Sequence, residues 1–492
     1  MTYKLEIKTA DSADAGTSAK ATITVVWSSG DRTVLHADGA AGYLDSGALD
    51  VLTFDAGPFQ NPGAPVAIEL SHDDSGAASG WFVCYVRVFA PGGKWWRADF
   101  QRWLATDERD GSLHASARLR NHSRWMGDLH DHFGTISSRN EFGEVPLHQL
   151  PMAGTHDSGT YGMGKGAMAQ DATILEQLGL GVRFFDLRPR AYGGKFYVQH
   201  TLGSDNVLVN YGQATKFAVN PGDGSIFNDI RDFLAHNPNE VIILKFQTFS
   251  LFDAEEHDDF RQLIAAYFSL IPQGPVENLT LNNIRNGAGR VIVFYGDDLG
   301  AAAPYDASWY GLWPYRVAQE QRSVGYVSLL DPWWEDDIGA SGGDDDQASF
   351  ARTWQPYHEA NLVDWASRSP AFFVTQAQMQ VLHGELDDRG RDNAYRNNGR
   401  NIAMFMNWVK MGVPRQVDPS VLSGAPAPVL RPNIMTLDFV EYGHETLGSL
   451  TDAIVDYFLS ISPPMFSRTY DYDRFNTPFI PLPGQQGVPV LA

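Results

Sequence analysis

Two different periodicities divide this chain and restrict it to a two-part fold. Through residues 1 to about 110, short apolar stretches alternate inward and outward with a period of two. Examples are Tyr3–Lys8, Ala21–Trp27, Val66–Ser71 and Trp81–Phe89, separated by Gly, Pro and Asp turns. With no long helical pattern between them, they predict an antiparallel β-sandwich. From about residue 145 the pattern changes. Strand-like runs at 240–246, 290–295, 371–376 and 432–440 alternate with helical segments at 225–234, 257–271, 401–411 and 450–461. In the first helix Ile226, Ile230, Phe233 and Leu234 share a face, and Ser225 is placed as an N-cap. Repeated strand–helix units with buried strands imply a parallel sheet. Over roughly 330 residues a closed α/β barrel is the expected form, with its site at the strand C-termini. The fold class is therefore multidomain, an all-β sandwich followed by a distorted TIM barrel. The expected boundaries are 1–112 for the sandwich, 113–144 for a linker, 145–475 for the barrel and 476–492 for a tail. Residues 300–370 are irregular and Trp-rich and are expected as loops above the strand C-termini.

The length of 492 residues fits more than one domain, and 43% hydrophobic residues supply a packed core. A formal charge of −22 argues against a nucleic-acid partner and against simple electrostatic adsorption to an anionic bilayer. The single cysteine, Cys84, cannot form an intrachain disulfide and is expected as a small buried hydrophobe. The N-terminus shows no basic segment followed by an apolar one, so no Sec-type signal peptide is expected. No apolar run approaches the roughly 20 residues of a spanning helix. The expectation is a soluble protein, cytoplasmic or exported by a route that leaves no N-terminal mark.

Chemistry concentrates at three points. The apolar run Leu150-Pro151-Met152-Ala153 ends abruptly in Gly154-Thr155-His156-Asp157-Ser158. A second run, Val182–Arg190, carries Asp186 and Arg188, and a third, Phe196-Tyr197-Val198-Gln199-His200, ends in histidine. Two histidines, two aspartates and an arginine are thus expected at or near the ends of neighbouring strands. Cleavage of a phosphodiester by a neighbouring hydroxyl needs such a set. Histidine titrates near neutrality and can serve as base or acid, and a guanidinium can neutralise phosphoryl oxygens.

In the first 110 residues, the acidic turn at Asp11, Asp14-Ala15-Gly16-Thr17, the strand Trp81-Phe82-Val83 and the closing Trp103-Leu104 resemble the PLAT (lipoxygenase-homology) family. That resemblance implies an eight-stranded sandwich that docks on lipid or on a partner protein. In some members it also implies calcium, for which Asp11, Asp14, Asp73 and Asp74 are the candidates. Calcium requires six or more oxygens from several loops. About residues 120–465 resemble the X-domain of bacterial phosphatidylinositol-specific phospholipase C, through Gly154-Thr155-His156-Asp157-Ser158, Asp186-Leu187-Arg188 and His200. The resemblance implies His156 as general base, His200 as general acid and Arg188 as the phosphoryl clamp. It implies Asp157 and Asp186 as residues that orient Arg188 and contact the phosphate region, and Asp438 as the partner of His156. Arg188 stands in for the calcium of eukaryotic relatives, so no metal or other cofactor is expected at the catalytic centre. The departures lie among the head-group readers. Lys245 and Gln247 share one face of a strand, and Gln247 takes the position of a family lysine that contacts the inositol ring. A family arginine on the following strand is replaced near Gly296 or Asp297.

The expected activity is cleavage of a phospholipid to diacylglycerol and a cyclic inositol phosphate at a membrane surface. The alternatives are a phosphodiesterase for another phospholipid or glycosyl-phosphoinositide head group, and a catalytically inactive lipid- or protein-binding module. Three further features are read as structural. Gly159-x-x-x-x-Gly164-Lys165 lacks the Ser or Thr of a phosphate-binding loop, His130-Asp131-His132 has no third ligand, and Asp344-Asp345-Asp346 is a solvated run. Tryptophan favours bilayer interfaces, which makes Trp333-Trp334 a candidate lipid contact over the barrel mouth and Trp95-Trp96 a second suggestive pair.

Overall fold

The computed structural model describes residues 2–461 apart from 11–13, 57–62, 77–78, 92–93, 107–110, 139, 164–167, 203–205, 210–216, 218–224, 286–288, 297–311, 316–328, 331–354, 368–370, 378–385, 412–430 and 441–448. Trp333-Trp334, Asp344-Asp345-Asp346, Lys165, Asp11 and the 476–492 tail lie outside the described residues. The chain divides into two compact units, Met1–His122 and Ser123–Ala492.

The first unit is a sandwich of eight antiparallel strands: β1 (Thr2–Thr9), β2 (Lys20–Trp27), β3 (Arg32–Asp38), β4 (Leu49–Asp55), β5 (Pro65–His72), β6 (Trp81–Phe89), β7 (Trp95–Leu104) and β8 (His114–Arg118). One sheet runs β4-β1-β6-β7 and the other β3-β2-β5-β8. The two-residue alternation turns Leu5, Ile7, Ile23, Val25, Trp27, Trp81, Val83 and Val86 into a shared core. Trp81 is fully enclosed, and its indole N–H donates to Thr9 Oγ1 at 3.1 Å. Cys84 is half-buried rather than enclosed, because the β6–β7 register slips between Val83 and Tyr85 and takes it off the inward alternation.

Among its described residues the second unit holds eight parallel strands: β9 (Met152–Thr155), β10 (Phe184–Leu187), β14 (Ile242–Phe246), β15 (Val291–Gly296), β16 (Trp313–Tyr315), β17 (Leu329–Leu330), β18 (Phe372–Gln376) and β19 (Ile434–Leu437). Their spatial order follows chain order, and the last strand returns to the first, with Ile434 opposite Met152 and Leu437 opposite Thr155. This is barrel topology. No pairing joins β16 to β17 among the described residues. Every residue of β9, β10, β14, β15, β18 and β19 is buried, because one face lines the barrel interior and helices cover the other. Phe184, Ile243, Ile292, Phe294, Trp313, Phe372 and Ile434 fill the interior, whereas Phe185, Ile242, Leu244 and Val293 meet helix residues such as Phe227, Ile230 and Phe260. Gly154 is required by this packing, since a Cβ there would lie 3.0 Å from the side chains of both Phe184 and Thr436.

Further expectations change. Residues 113–144 are not a linker. His114–Arg118 closes the sandwich, and helix Trp125–Ile136 buries Trp125, Met126, Leu129 and Phe133 in the barrel core. The 300–370 stretch contains strands β16 and β17 and helix Gln355–Ser367, elements too short or too weakly periodic to stand out. The run ending in His200 is not a barrel strand. It forms β12 (Lys195–Leu202) of an antiparallel sheet with β11 (Pro189–Tyr192) and β13 (Asn206–Val209). Gly193 and Gly194, with φ of 59° and 69°, make the two-residue hairpin turn that folds β12 back along β11. Ser225 does precede helix Ile226–His236, but its hydroxyl accepts from the Asn228 side chain rather than from a backbone N–H.

Candidate active site

The two-residue period that buries Phe184 and Ile243 also carries polar side chains up the interior. Above Phe184 come Asp186 and Arg188, above Ile243 come Lys245 and Gln247, and above Ile434 come Thr436 and Asp438. On β9 the chain leaves the barrel at a tight turn. Asp157 has φ of 43°, the left-handed region that aspartate tolerates better than most residues. Thr160 fixes the turn through its N–H and hydroxyl, both donated to the Asp157 carbonyl. Gln177 Nε2 donates to the carbonyls of Ser158 and Ala172.

This turn places Asp157, fully enclosed, at the centre of the site. Its Oδ1 lies 2.6 Å from Arg188 Nε. Its Oδ2 lies 3.3 Å from His156 Nε2 and 3.0 Å from His200 Nε2, so both imidazoles reach one carboxylate oxygen. Arg188 Nη2 is 3.1 Å from His156 Nε2. On the far side of the ring, His156 Nδ1 meets Asp438 Oδ1 at 2.9 Å. Desolvation opposes charge on His156, but Asp157 and Asp438 outweigh it and raise the ring to about 9. Burial works against the Asp157 anion too, yet Arg188 and the two histidines hold it well below the usual carboxylate range.

The resemblance gave Asp157 and Asp186 a joint task in orienting Arg188. The direct contact comes from Asp157, while Asp186 takes a different set of partners. Gln247 Nε2 donates to both Asp186 oxygens, at 2.9 and 3.1 Å, and Lys245 Nζ lies 3.4 Å away. Arg183, at the start of the same strand run, pairs with Glu240 at 2.7 Å, and Arg190 donates to Ser250. Among the described residues, His156, Asp157 and Asp186 form the one group whose ligand atoms could converge on a metal, within 4.8 Å of each other. Both carboxylates in that group already face fixed cations, Arg188 and Lys245.

The strand tips are locked by a residue that the sequence reading passed over. Gln170 is fully buried, and its Nε2 donates to the carbonyls of His156 at 2.9 Å and Leu437 at 2.8 Å. Its Oε1 accepts the Val440 N–H at 3.2 Å. Asn398 Nδ2 donates to the Asp438 carbonyl at 3.0 Å. Gln170 carried no signal in sequence because its partners are backbone atoms, one across a turn and the others far along the chain.

In the sandwich unit, Asp73 Oδ1 accepts from the N–H of Lys20 and from the N–H and hydroxyl of Ser75, and these bonds lower its carboxyl to about 2. Asp14 and Asp74 sit at positive φ in turns. His130 is bonded to Asn282, and His132 stacks edge-on with Phe133.

Residues 3–115 match the model of the PLAT/LH2 domain. This chain therefore carries a PLAT domain ahead of its barrel. The remainder is similar to PI-PLC X-domain proteins. Mouse PI-PLC X domain-containing protein 2 is 26% identical over 352 residues, covering 64% of this chain and 83% of that protein. The 1-phosphatidylinositol phosphodiesterase of Staphylococcus aureus is 26% identical over 197 residues, or 37% of this chain. This chain spans about half of that bacterial protein, 54% of its length. A solved phosphatidylinositol-specific phospholipase C of S. aureus aligns at 18% identity with a TM-score of 0.41, covering 68% of this chain and 97% of that one. Among the described residues no helix is long and apolar enough to cross a membrane.

Proposed function

We propose that the barrel unit is a phospholipid phosphodiesterase of the phosphatidylinositol-specific phospholipase C type. The observation that carries this reading is the sharing of Asp157 by His156, His200 and Arg188. Two titratable rings and one guanidinium then face a single small volume, the arrangement in-line displacement at phosphorus calls for.

In this reading Arg188 binds the non-bridging phosphoryl oxygens. His156 Nε2 removes the proton of the inositol 2-hydroxyl, while Asp438 on Nδ1 keeps the ring in the tautomer that presents Nε2 as base. The hydroxyl oxygen bonds to phosphorus as the bond from phosphorus to the glycerol oxygen breaks. His200 gives a proton to that departing oxygen. The products are diacylglycerol and a cyclic inositol phosphate. Acid and base each contribute on the order of 10² to 10⁴ in rate. No metal enters, because Arg188 and Lys245 already supply the positive charge that a divalent ion would bring. The PLAT domain brings the enzyme to a lipid surface or to a protein partner, and loop aspartates including Asp14, Asp73 and Asp74 are its candidate calcium ligands.

A panel of vesicles, each carrying one phospholipid, tests the reading through released diacylglycerol in the presence of chelator. Turnover of phosphatidylinositol, lost in His200→Ala, is the expected result. Turnover confined to another head group would move the substrate. No turnover of any lipid would leave a binding module.

A further inference from the structure

His156, Arg188 and Asp438 stand at the ends of barrel strands, but His200 does not. It sits on β12, in an antiparallel hairpin outside the parallel sheet, and yet its Nε2 meets the same Asp157 oxygen as the ring of His156. The hairpin must be seated on the barrel closely enough to keep that distance.

Both faces of β12 are fixed. On the face it shares with His200, Val198 lies against Gly159, where a Cβ would come within 2.5 Å of Val198 Cγ2. Glycine at 159 thus lets β12 settle on the turn that bears Asp157. On the opposite face Gln199, 1% exposed, donates from Nε2 to the Thr248 carbonyl at 2.6 Å. Its main-chain N–H donates to the Arg188 carbonyl at 2.9 Å. Thr248 has φ of 53°, in the left-handed region, where a β-branched residue is a genuine outlier. Such strain persists where the surroundings over-determine it. Two residues on, Ser250 pairs with β11. Its N–H donates to the Pro189 carbonyl and its carbonyl accepts the Ala191 N–H, both at 3.0 Å. The segment after β14 therefore holds β11 through Ser250 and β12 through the Gln199 amide.

Gln199 Oε1 is sealed from solvent and bonded to nothing among the described residues. A buried amide with one end unpaired adds little to stability, and an apolar side chain of the same length would fill the space as well. What the amide adds is direction. We propose that Gln199 is the positioning residue for His200: its bond to the carbonyl of the left-handed Thr248 seats the β11–β12 hairpin so that His200 reaches Asp157. The inference rests on the phosphodiesterase reading above. Without the bond, β12 shifts on the β14 segment and His200 loses its line to the departing oxygen.

The test compares two substrates that differ in their need for an acid. Phosphatidylinositol expels an alkoxide, which must be protonated. A myo-inositol 1-(4-nitrophenyl phosphate) expels a stable phenoxide, which need not be. Gln199→Met in the full chain should lower kcat on phosphatidylinositol about ten- to a hundredfold, the cost of roughly 1 Å of misplacement, with KM within about twofold. On the nitrophenyl ester the loss should stay below about threefold, because proton donation contributes little to a good leaving group. His200→Ala should show the same contrast. Gln199→Asn, which keeps the amide but withdraws it by one methylene, carries the test if a circular dichroism melt shows that Gln199→Met does not fold. Equal loss on both substrates, or loss on neither, overturns the positioning role. Failure of both variants to fold overturns it too, since Gln199 would then be holding the fold. Equal loss on both substrates in His200→Ala would remove His200 as the acid and this inference with it. Wild-type turnover of neither substrate would instead remove the phosphodiesterase reading itself.

Discussion

Asp438→Asn should change the pH dependence of turnover as well as its rate. In the wild type, desolvation alone would lower His156, yet Asp157 and Asp438 raise it to about 9 from an ordinary value of 6.5. The ring is then charged through neutral pH and becomes a base only as pH climbs toward 9. The acid limb of kcat/KM should accordingly rise about tenfold per unit up to that point. Asparagine removes one of the two anions responsible, at 2.9 Å from Nδ1. An opposite charge at such range shifts a pKa by about 1–3 units, so the limb should move down by at least about one unit. The variant also loses the carboxylate that selects the tautomer, a defect worth up to about 10⁴ in rate where such a pair has been broken. The two effects oppose each other at low pH. The deficit relative to wild type should be greatest near pH 9 and shrink by at least about tenfold near pH 6, where the variant has the larger share of neutral ring. A pH series of initial rates on phosphatidylinositol vesicles, with the His156 ring titrated by proton NMR, measures both quantities. A limb that stays in place in Asp438→Asn, or a deficit that is the same at every pH, would refute the coupling of Asp438 to the base.

The same raised value has a consequence for stability. The favourable charge on His156 is fully present below about 6.5 and is lost as pH rises through about 9, so wild-type melting temperature should fall across that window and Asp438→Asn should flatten the fall. His200→Ala should lower kcat by at least about a hundredfold with an unchanged melt, and a fully active variant would remove its assignment as acid. Gln170→Leu takes the side-chain donor from the buried carbonyls of His156 and Leu437 and should cost about 1–3 kcal/mol in denaturant titration together with a drop in kcat. Glu240→Gln leaves Arg183 uncompensated in a fully enclosed position and should cost about 3–5 kcal/mol, seen as a lower denaturation midpoint.

The barrel was legible because its strands are buried on both faces and so read as unbroken apolar runs, and the sandwich because its strands are buried on one. His156, Asp157 and Arg188 were legible for the same reason: each breaks or closes such a run, whereas Asp438 came only from the family resemblance. His200 was found as a residue but misplaced in the fold. The Gly193-Gly194 pair that turns β11 into β12 is a hairpin signal in plain view, overridden by the expectation of another barrel strand. Trp313–Tyr315 and Leu329–Leu330 are too short to carry a period. What the sequence could not express is the bonding that spans the barrel. Gln170 does its work on carbonyls that lie more than two hundred positions away in the chain or across a turn. The pairing of Asp186 with Lys245 depends on the β10–β14 register, which sets the two residues opposite each other and has no trace within either strand alone.

The most direct measurement is phosphorus NMR of wild-type enzyme acting on phosphatidylinositol vesicles in excess chelator. The geometry around Asp157 predicts the resonance of a cyclic inositol phosphate appearing with diacylglycerol, and its loss in His156→Ala. An acyclic phosphate as the first product, turnover that stops with chelation, or no turnover at all would contradict the account.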